Sequence, residues 1–198
     1  MQNELIALLA GRSGHFQMES GYHSERWFDL DHVLAQRERL RPFVAELARR
    51  LAAHRIDAVC GPMTGGALIA AMIAAELGVG YLFTERFEPP QATGFFPVRY
   101  TLPAEQRERG RDQRIAIVDD AISLGSAIRG THADLLACGA RPVALGALFV
   151  FGGAAAQFAD AHGLALEQIA PMTFGIWRPD ECPLCHAGMP LERVSDAP

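Results

Sequence analysis

At 198 residues, with 49% hydrophobic content, 21% charged content and a formal net charge of −5, the chain has the make-up of a soluble globular protein. It is long enough for one α/β domain with a full core and a modest appendage. The acidic balance excludes nucleic acid as the main partner, no apolar run approaches membrane-spanning length, and four cysteines are too few for a disulfide scaffold. Met1-Gln-Asn-Glu lacks the basic start of a signal peptide, so a cytoplasmic location is expected.

Leu5, Ile6, Leu8 and Leu9 recur at helical spacing and stop at a glycine, which predicts a short amphipathic helix over Glu4–Gly11. Gly14–Gly21 then alternates at Phe16 and Met18, and Arg26–Leu30 offers a second strand, so a small hood outside the main sheet is expected. His15 and His23 read as polar loop residues of that hood. Arg37–His54 carries Leu40, Phe43, Val44, Leu47 and Leu51 on one helical face. Ile56–Cys60 is the first central strand; it enters Gly61-Pro-Met-Thr-Gly-Gly66, and Ala67–Leu77 forms an Ala-rich helix ended by Gly78.

Gly80–Thr84 reads as the next strand and delivers Glu85 and Arg86 to the same edge. Phe87–Gln113 is irregular, interrupted by Pro89-Pro90, Gly94, Pro97 and Pro103, with a hairpin expected over Phe95-Phe96 and Val98–Leu102. Arg107, Arg109, Arg111 and Arg114 alternate with acids and read as a solvated turn. Beyond Ala127, a helix over Ile128–Cys138, a strand over Pro142–Phe151, another helix after Gly152 and a last strand over Leu164–Ile169 complete the pattern. Alternating strands and helices imply an α/β fold: a mainly parallel central sheet with helices on both faces, plus the N-terminal hood.

Between the irregular stretch and the helix at Ile128 lies the densest chemistry. Ile115–Val118 is an apolar run suited to a parallel strand buried on both faces, which puts Asp119 and Asp120 at its carboxyl end. Ligands of open α/β sheets bind outside that end, and Ser123-Leu-Gly-Ser-Ala127 opens a helix whose free N–H groups suit phosphate. Carboxylates repel phosphate, so the acidic pair must face something else, such as a sugar diol or a magnesium ion. A phosphorylated sugar with a metal-bound second phosphate meets both demands. A Walker-type nucleotide loop requires a Gly-Lys-Ser/Thr step, and the chain has no lysine, all 18 basic residues being arginine.

Ile115–Ala127 resembles the phosphoribosyl diphosphate (PRPP) signature of type I phosphoribosyltransferases, and the likeness extends over roughly Phe16–Phe151. Phe16-x-Met18-x-Ser20-Gly21-x-x-Ser24 is similar to the hood that covers the base site in the orotate members, although Glu19 stands where many carry a lysine. The resemblance implies transfer of phosphoribosyl from PRPP to a nucleobase, orotate or a related base, with release of pyrophosphate. It makes Asp119 and Asp120 the holders of the ribose hydroxyls and of magnesium, through water and PRPP. Ser123, Leu124, Gly125, Ser126 and Ala127 become the 5′-phosphate cradle, and Thr64, Gly65 and Gly66 the pyrophosphate loop. The family's catalytic loop brings lysine and often histidine, which in its dimers closes over a neighbouring subunit's site. Here Arg86 and Arg99 are the remaining candidates. A homodimer is implied, and the alternative reading is a PRPP-binding regulator without turnover.

The orotate members usually end the strand after the signature helix in Asp-Arg, where this chain has Phe151-Gly152. Weak orotate use is therefore expected unless Arg26 or Arg178 reaches the carboxylate. The expected organisation is a hood over residues 1–35, a phosphoribosyltransferase core over 36–176 and a tail over 177–198. Cys182-Pro-Leu-Cys185-His186 in that tail supplies half of a four-ligand zinc site. A turn anchoring the tail through Trp177 and Leu184 is favoured over zinc, which would need His186 or a partner chain to complete it.

Overall fold

A computed structural model describes residues 1–89 and 94–193; residues 90–93 of the expected irregular stretch and 194–198 of the expected tail lie outside them. The chain begins with α1 (Gln2–Ile6), the hairpin strands β1 (Ala10–Gln17) and β2 (His23–Asp29), and the short helix α2 (Leu30–Leu34). It continues through α3 (Arg37–Ala52), β3 (Ala58–Pro62), α4 (Gly65–Leu77), β4 (Gly80–Phe87), β5 (Arg99–Thr101) and α5 (Ala104–Gly110). Then come β6 (Arg114–Ile122), α6 (Ser126–Ala137), β7 (Arg141–Phe151), α7 (Ala154–His162) and β8 (Ala165–Met172). The tail adds β9 (Ile176–Trp177), α8 (Pro183–His186) and β10 (Glu192–Arg193).

The main sheet has the order β5-β4-β3-β6-β7-β8, parallel throughout except for β5, which returns antiparallel against β4. Side chains of β6 alternate between two cores. Ala116 and Val118 pack with Leu47, Leu51, Ile69 and Ile73 of α3 and α4, while Ile115 and Ile117 pack with Ile128, Leu135 and Phe158 of α6 and α7. Both faces of the strand are dry, which is why its sequence is apolar without alternation. The hood is a second sheet, β10-β1-β2-β9, in which the tail's two short strands flank the N-terminal hairpin.

Four local expectations are corrected. The helix expected over Glu4–Gly11 stops at Ile6, because Ala10 and Gly11 pair with Asp29 and Phe28 across the hairpin. Five helical residues are too few to outweigh that pairing. The hairpin expected within Phe95–Leu102 is instead made by β4 and β5, with Arg86 opposite Tyr100. The solvated turn expected at Arg107–Arg114 is helical in its first half, as the end of α5, held where Arg107 and the Leu102 N–H both donate to Asp134, at 2.8 and 2.7 Å; Arg111 and Asp112 form the exposed turn. His15 and His23 are buried strand residues, 3% and 5% exposed, and not loop residues.

Candidate active site

β6 pairs with β3 only as far as Cys60–Ile117, whereas on its other side the ladder with β7 runs on to Ile122–Val150. Beyond Ile117 the two central strands therefore part, and the amino end of α4 fills the gap beside Asp119 and Asp120. The approach is so close that a methyl group on Gly65 would lie 2.3 Å from Asp120 Oδ2, and one on Gly66 would lie 2.7 Å from Asp119 Oδ1. At Gly66 a side chain would also meet the Val118 carbonyl oxygen at 2.8 Å, so glycine is required there, whereas at Gly65 a methyl group would have to displace the Asp120 side chain. Gly61 serves the same end, since a Cβ there would meet the Gly66 carbonyl oxygen at 2.1 Å.

Asp119 is 8% exposed, and its Oδ1 accepts the Asp120 N–H at 3.0 Å; Asp120 Oδ1 accepts the Ala121 N–H at 2.8 Å. Burial holds the Asp119 carboxyl well above the ordinary carboxylate range, with the neighbouring Asp120 charge adding to it. Burial raises Asp120 as well. Among the described residues no basic side chain pairs with either carboxylate. A buried acidic pair without a countercharge is suited to a divalent cation and to hydroxyl donors.

The turn after β6 leads through Gly125, in the left-handed region at φ 78°, into α6. The first N–H groups of a helix have no internal acceptors, so those of Ser126 to Ile128 are donors left for an anion. The loop residues Ser123–Ala127 are half-buried, and Ser123 Oγ approaches Met18 Sδ of the hood at 3.9 Å. The structure thus brings Gly65, Gly66, Asp119, Asp120 and Ser123–Ala127 to one end of the sheet, with exposed Thr64 just before α4.

Arg86 lies on the opposite flank with its Nε on Glu19 at 3.1 Å and a second contact to Glu88 at 3.6 Å. The Tyr100 hydroxyl donates to the same Glu19 carboxylate at 3.0 and 3.1 Å, and burial, then the Glu19 charge, drives its pKa up. Strand alternation puts Arg99, exposed and opposite Phe87, on the face away from Arg86 and Tyr100. The two arginines singled out from the sequence are therefore not brought together. Glu19 and Tyr100 are neighbours of Arg86 that sequence reasoning missed, because only the β4–β5 pairing reveals that Tyr100 and Arg86 share a face.

At the carboxyl end of β7 the Phe151 ring stacks on Phe28 at 5.2 Å and packs on Phe174 at 5.2 Å, joining hood and sheet. Arg26 is exposed on β2, and Arg178 lies over the Phe95 ring at 4.6 Å. The segment Gly94–Phe96 rests on the hood turn, with the Phe96 N–H donating to the Ser20 carbonyl at 3.2 Å and Phe95 packed on Tyr22 at 4.7 Å.

Solved structures share this architecture. Orotate phosphoribosyltransferase from Aeropyrum pernix superposes with a TM-score of 0.63 at 21% identity, covering 84% of this chain and 89% of that one. Adenine phosphoribosyltransferase from Thermoanaerobacter pseudethanolicus gives 0.67 at 16% identity, over 87% of this chain and 100% of that one. A mainly parallel central sheet with helices on both faces is the type I phosphoribosyltransferase fold. No family model matches the chain. Orotate phosphoribosyltransferase of Desulforamulus reducens is 30% identical over 178 residues, covering 90% of this chain and 86% of that protein. The chain belongs to the orotate phosphoribosyltransferase family.

Proposed function

We propose that this chain transfers the phosphoribosyl group of PRPP to a ring nitrogen of a nucleobase and releases pyrophosphate. The observation that carries the assignment is the seating of Gly65 and Gly66, at the amino end of α4, directly on the Asp119–Asp120 carboxylates. A helix amino terminus attracts anionic pyrophosphate, and the adjacent acids attract what an anion site alone would not hold, a diol and a cation. In the reaction the bond from the anomeric carbon to pyrophosphate breaks, its electron pair leaving with pyrophosphate. The base nitrogen forms the new bond and gives up its proton. Charge placement around a cation-like ribose supplies the catalysis.

Asp119 and Asp120 hold the ribose hydroxyls, Ser123–Ala127 bind the 5′-phosphate, and Thr64, Gly65 and Gly66 with Arg86 face pyrophosphate. Arg99 acts only if its segment moves. The acidic pair fits magnesium: Asp119 and Asp120 would hold the ion, which would supply charge neutralisation to pyrophosphate. A homodimer in the cytoplasm is part of this reading. Met63 and Phe87, 44% and 54% exposed at neighbouring strand ends, supply an apolar edge for a second copy. No described helix is long and apolar enough to cross a membrane. Sedimentation as a monomer at assay concentrations would overturn the dimer.

The base site lies beneath the hood at the carboxyl end of β7, where Phe151 meets Phe28 and Phe174. With no charge pair ending β7, orotate loses a charge-assisted contact of about 1.5–3 kcal/mol, tenfold or more in affinity. Steady-state comparison of orotate, uracil and purine bases with PRPP, read as pyrophosphate release, tests both points. Ordinary efficiency with orotate would overturn the reading of the strand end. Stoichiometric PRPP binding without turnover of any base would favour the regulator, a reading supported by the Glu19 grip on Arg86 and the absence of lysine.

A further inference from the structure

We infer that the hood carries a structural zinc site formed by His15, His23, Cys182 and Cys185. It lies outside the residues assigned to PRPP and joins the first and last parts of the chain. His15 sits in the irregular step between Ser13 and Phe16 of β1, and His23 opens β2 opposite Trp177 of β9. Cys182 caps α8, and Cys185 follows one turn later. Their ligand atoms all lie within 4.8 Å of one another, and His15, His23 and Cys182 are buried.

The separations are those of a tetrahedron. His15 Nε2 lies 3.0 Å from His23 Nδ1, 3.5 Å from Cys182 Sγ and 3.7 Å from Cys185 Sγ, and Cys185 Sγ lies 3.2 Å from His23 Nδ1. A tetrahedral zinc with bonds of about 2.0–2.1 Å to nitrogen and 2.3 Å to sulfur sets nitrogens roughly 3.3 Å apart, and nitrogen about 3.5 Å from sulfur. Hydrogen bonding alone does not account for the cluster. His15 Nδ1 is 2.9 Å from the Met189 carbonyl, which only accepts, so Nδ1 carries the proton and Nε2 presents a bare lone pair. That single lone pair faces three potential donors and satisfies one. A cation shared by two thiolates and two imidazoles satisfies all four groups, and the Met189 carbonyl is the outer partner that fixes a metal-binding tautomer. Two sulfurs and two nitrogens in a tetrahedral arrangement select zinc among the common divalent metals.

The completion differs from that expected on sequence: His186 is not part of the cluster, and both missing ligands come from the hairpin of the same chain. The site ties α8 and the flanking strands of the tail to β1 and β2, a few residues from Met18 and Glu19 over the active site. Elemental analysis of the full chain purified without chelator should find about one zinc per chain. Cys182→Ser with Cys185→Ser, or His23→Ala, should lose the metal, and His186→Ala should keep it. Should those variants fail to fold, the wild-type chain loaded with cobalt gives the same answer. Visible bands of a four-coordinate centre with a thiolate-to-cobalt charge-transfer band support the site. A wild-type chain that takes up no stoichiometric zinc, metal retained by the double cysteine variant, or a cobalt spectrum without the thiolate band would each overturn it.

Discussion

Asp119 is the residue on which stability and the proposed function pull in opposite directions. Its raised pKa means that the folded chain binds this proton more tightly than the unfolded chain does. The associated stability is thus fully present below the unfolded carboxyl value of about 3.9 and is lost as pH rises through the raised folded value. Asp119→Asn is therefore expected to raise the Tm at pH 7–8, each kcal/mol being about 2–4 °C for a chain of this size. The gain should vanish when both proteins are melted near pH 3. The Asp119→Asn, Asp120→Asn pair should at the same time abolish magnesium-dependent PRPP binding, and unchanged affinity by calorimetry would remove the acids from the site. At Arg86 the two costs separate differently. Its pair with Glu19 is about one-third exposed, so breaking it should change stability by less than about 1 kcal/mol. Arg86→Ala should nevertheless lower kcat/KM for PRPP tenfold or more, while Glu19→Gln should lower KM for PRPP by weakening one hold on the guanidinium. A rise in KM in the glutamine variant would show that Glu19 positions Arg86 productively.

The β3–α4 junction illustrates how an element's packing sets the price of a single methyl group. At Gly61 the obstacle is the backbone of Gly66 and Ala67, which cannot move without shifting the helix. Gly61→Ala should destabilise by about 1–3 kcal/mol or more, visible as a lower denaturant midpoint. Gly65→Ala meets the end of the Asp120 side chain instead, which can swing away. Its fold should survive while PRPP affinity drops at least tenfold, and an unaltered affinity would mean that the carboxylate does not contact ligand from this position. The same reasoning explains which elements were legible in sequence. β6, β7, α3 and α4 are buried on recognisable faces, so period and composition identified them to within a few residues. α5 escaped notice because its alternating charges conceal a partner, Asp134, that is distant in sequence.

At the scale of the molecule, the hood is built from both ends of the chain. β9 and β10 flank a two-stranded hairpin, and an isolated hairpin is at best marginally stable in water. Removing everything after Gly175 should therefore loosen residues 10–29 while the main sheet stays folded. Amide hydrogen exchange should show protection lost in the hairpin and kept across 114–151. Retention of hairpin protection would mean that Phe28, through its contacts with Phe151 and Phe174, holds the hood without the tail.

The sequence alone determined the α/β alternation, the buried central strand, the acidic pair near its carboxyl end and the serine- and glycine-containing loop behind it. Each of these is written in contiguous residues, where periodicity, apolar runs and glycine spacing have direct physical meaning. Tertiary structure alone decided that Gly65 and Gly66 seat on Asp120 and Asp119, that Tyr100 and Arg86 share Glu19, and that the tail strands complete the hood. It alone gathered His15 and His23 around Cys182 and Cys185. Those relations join residues far apart in the chain through strand register and helix placement, and a one-residue slip in register turns a side chain to the opposite face.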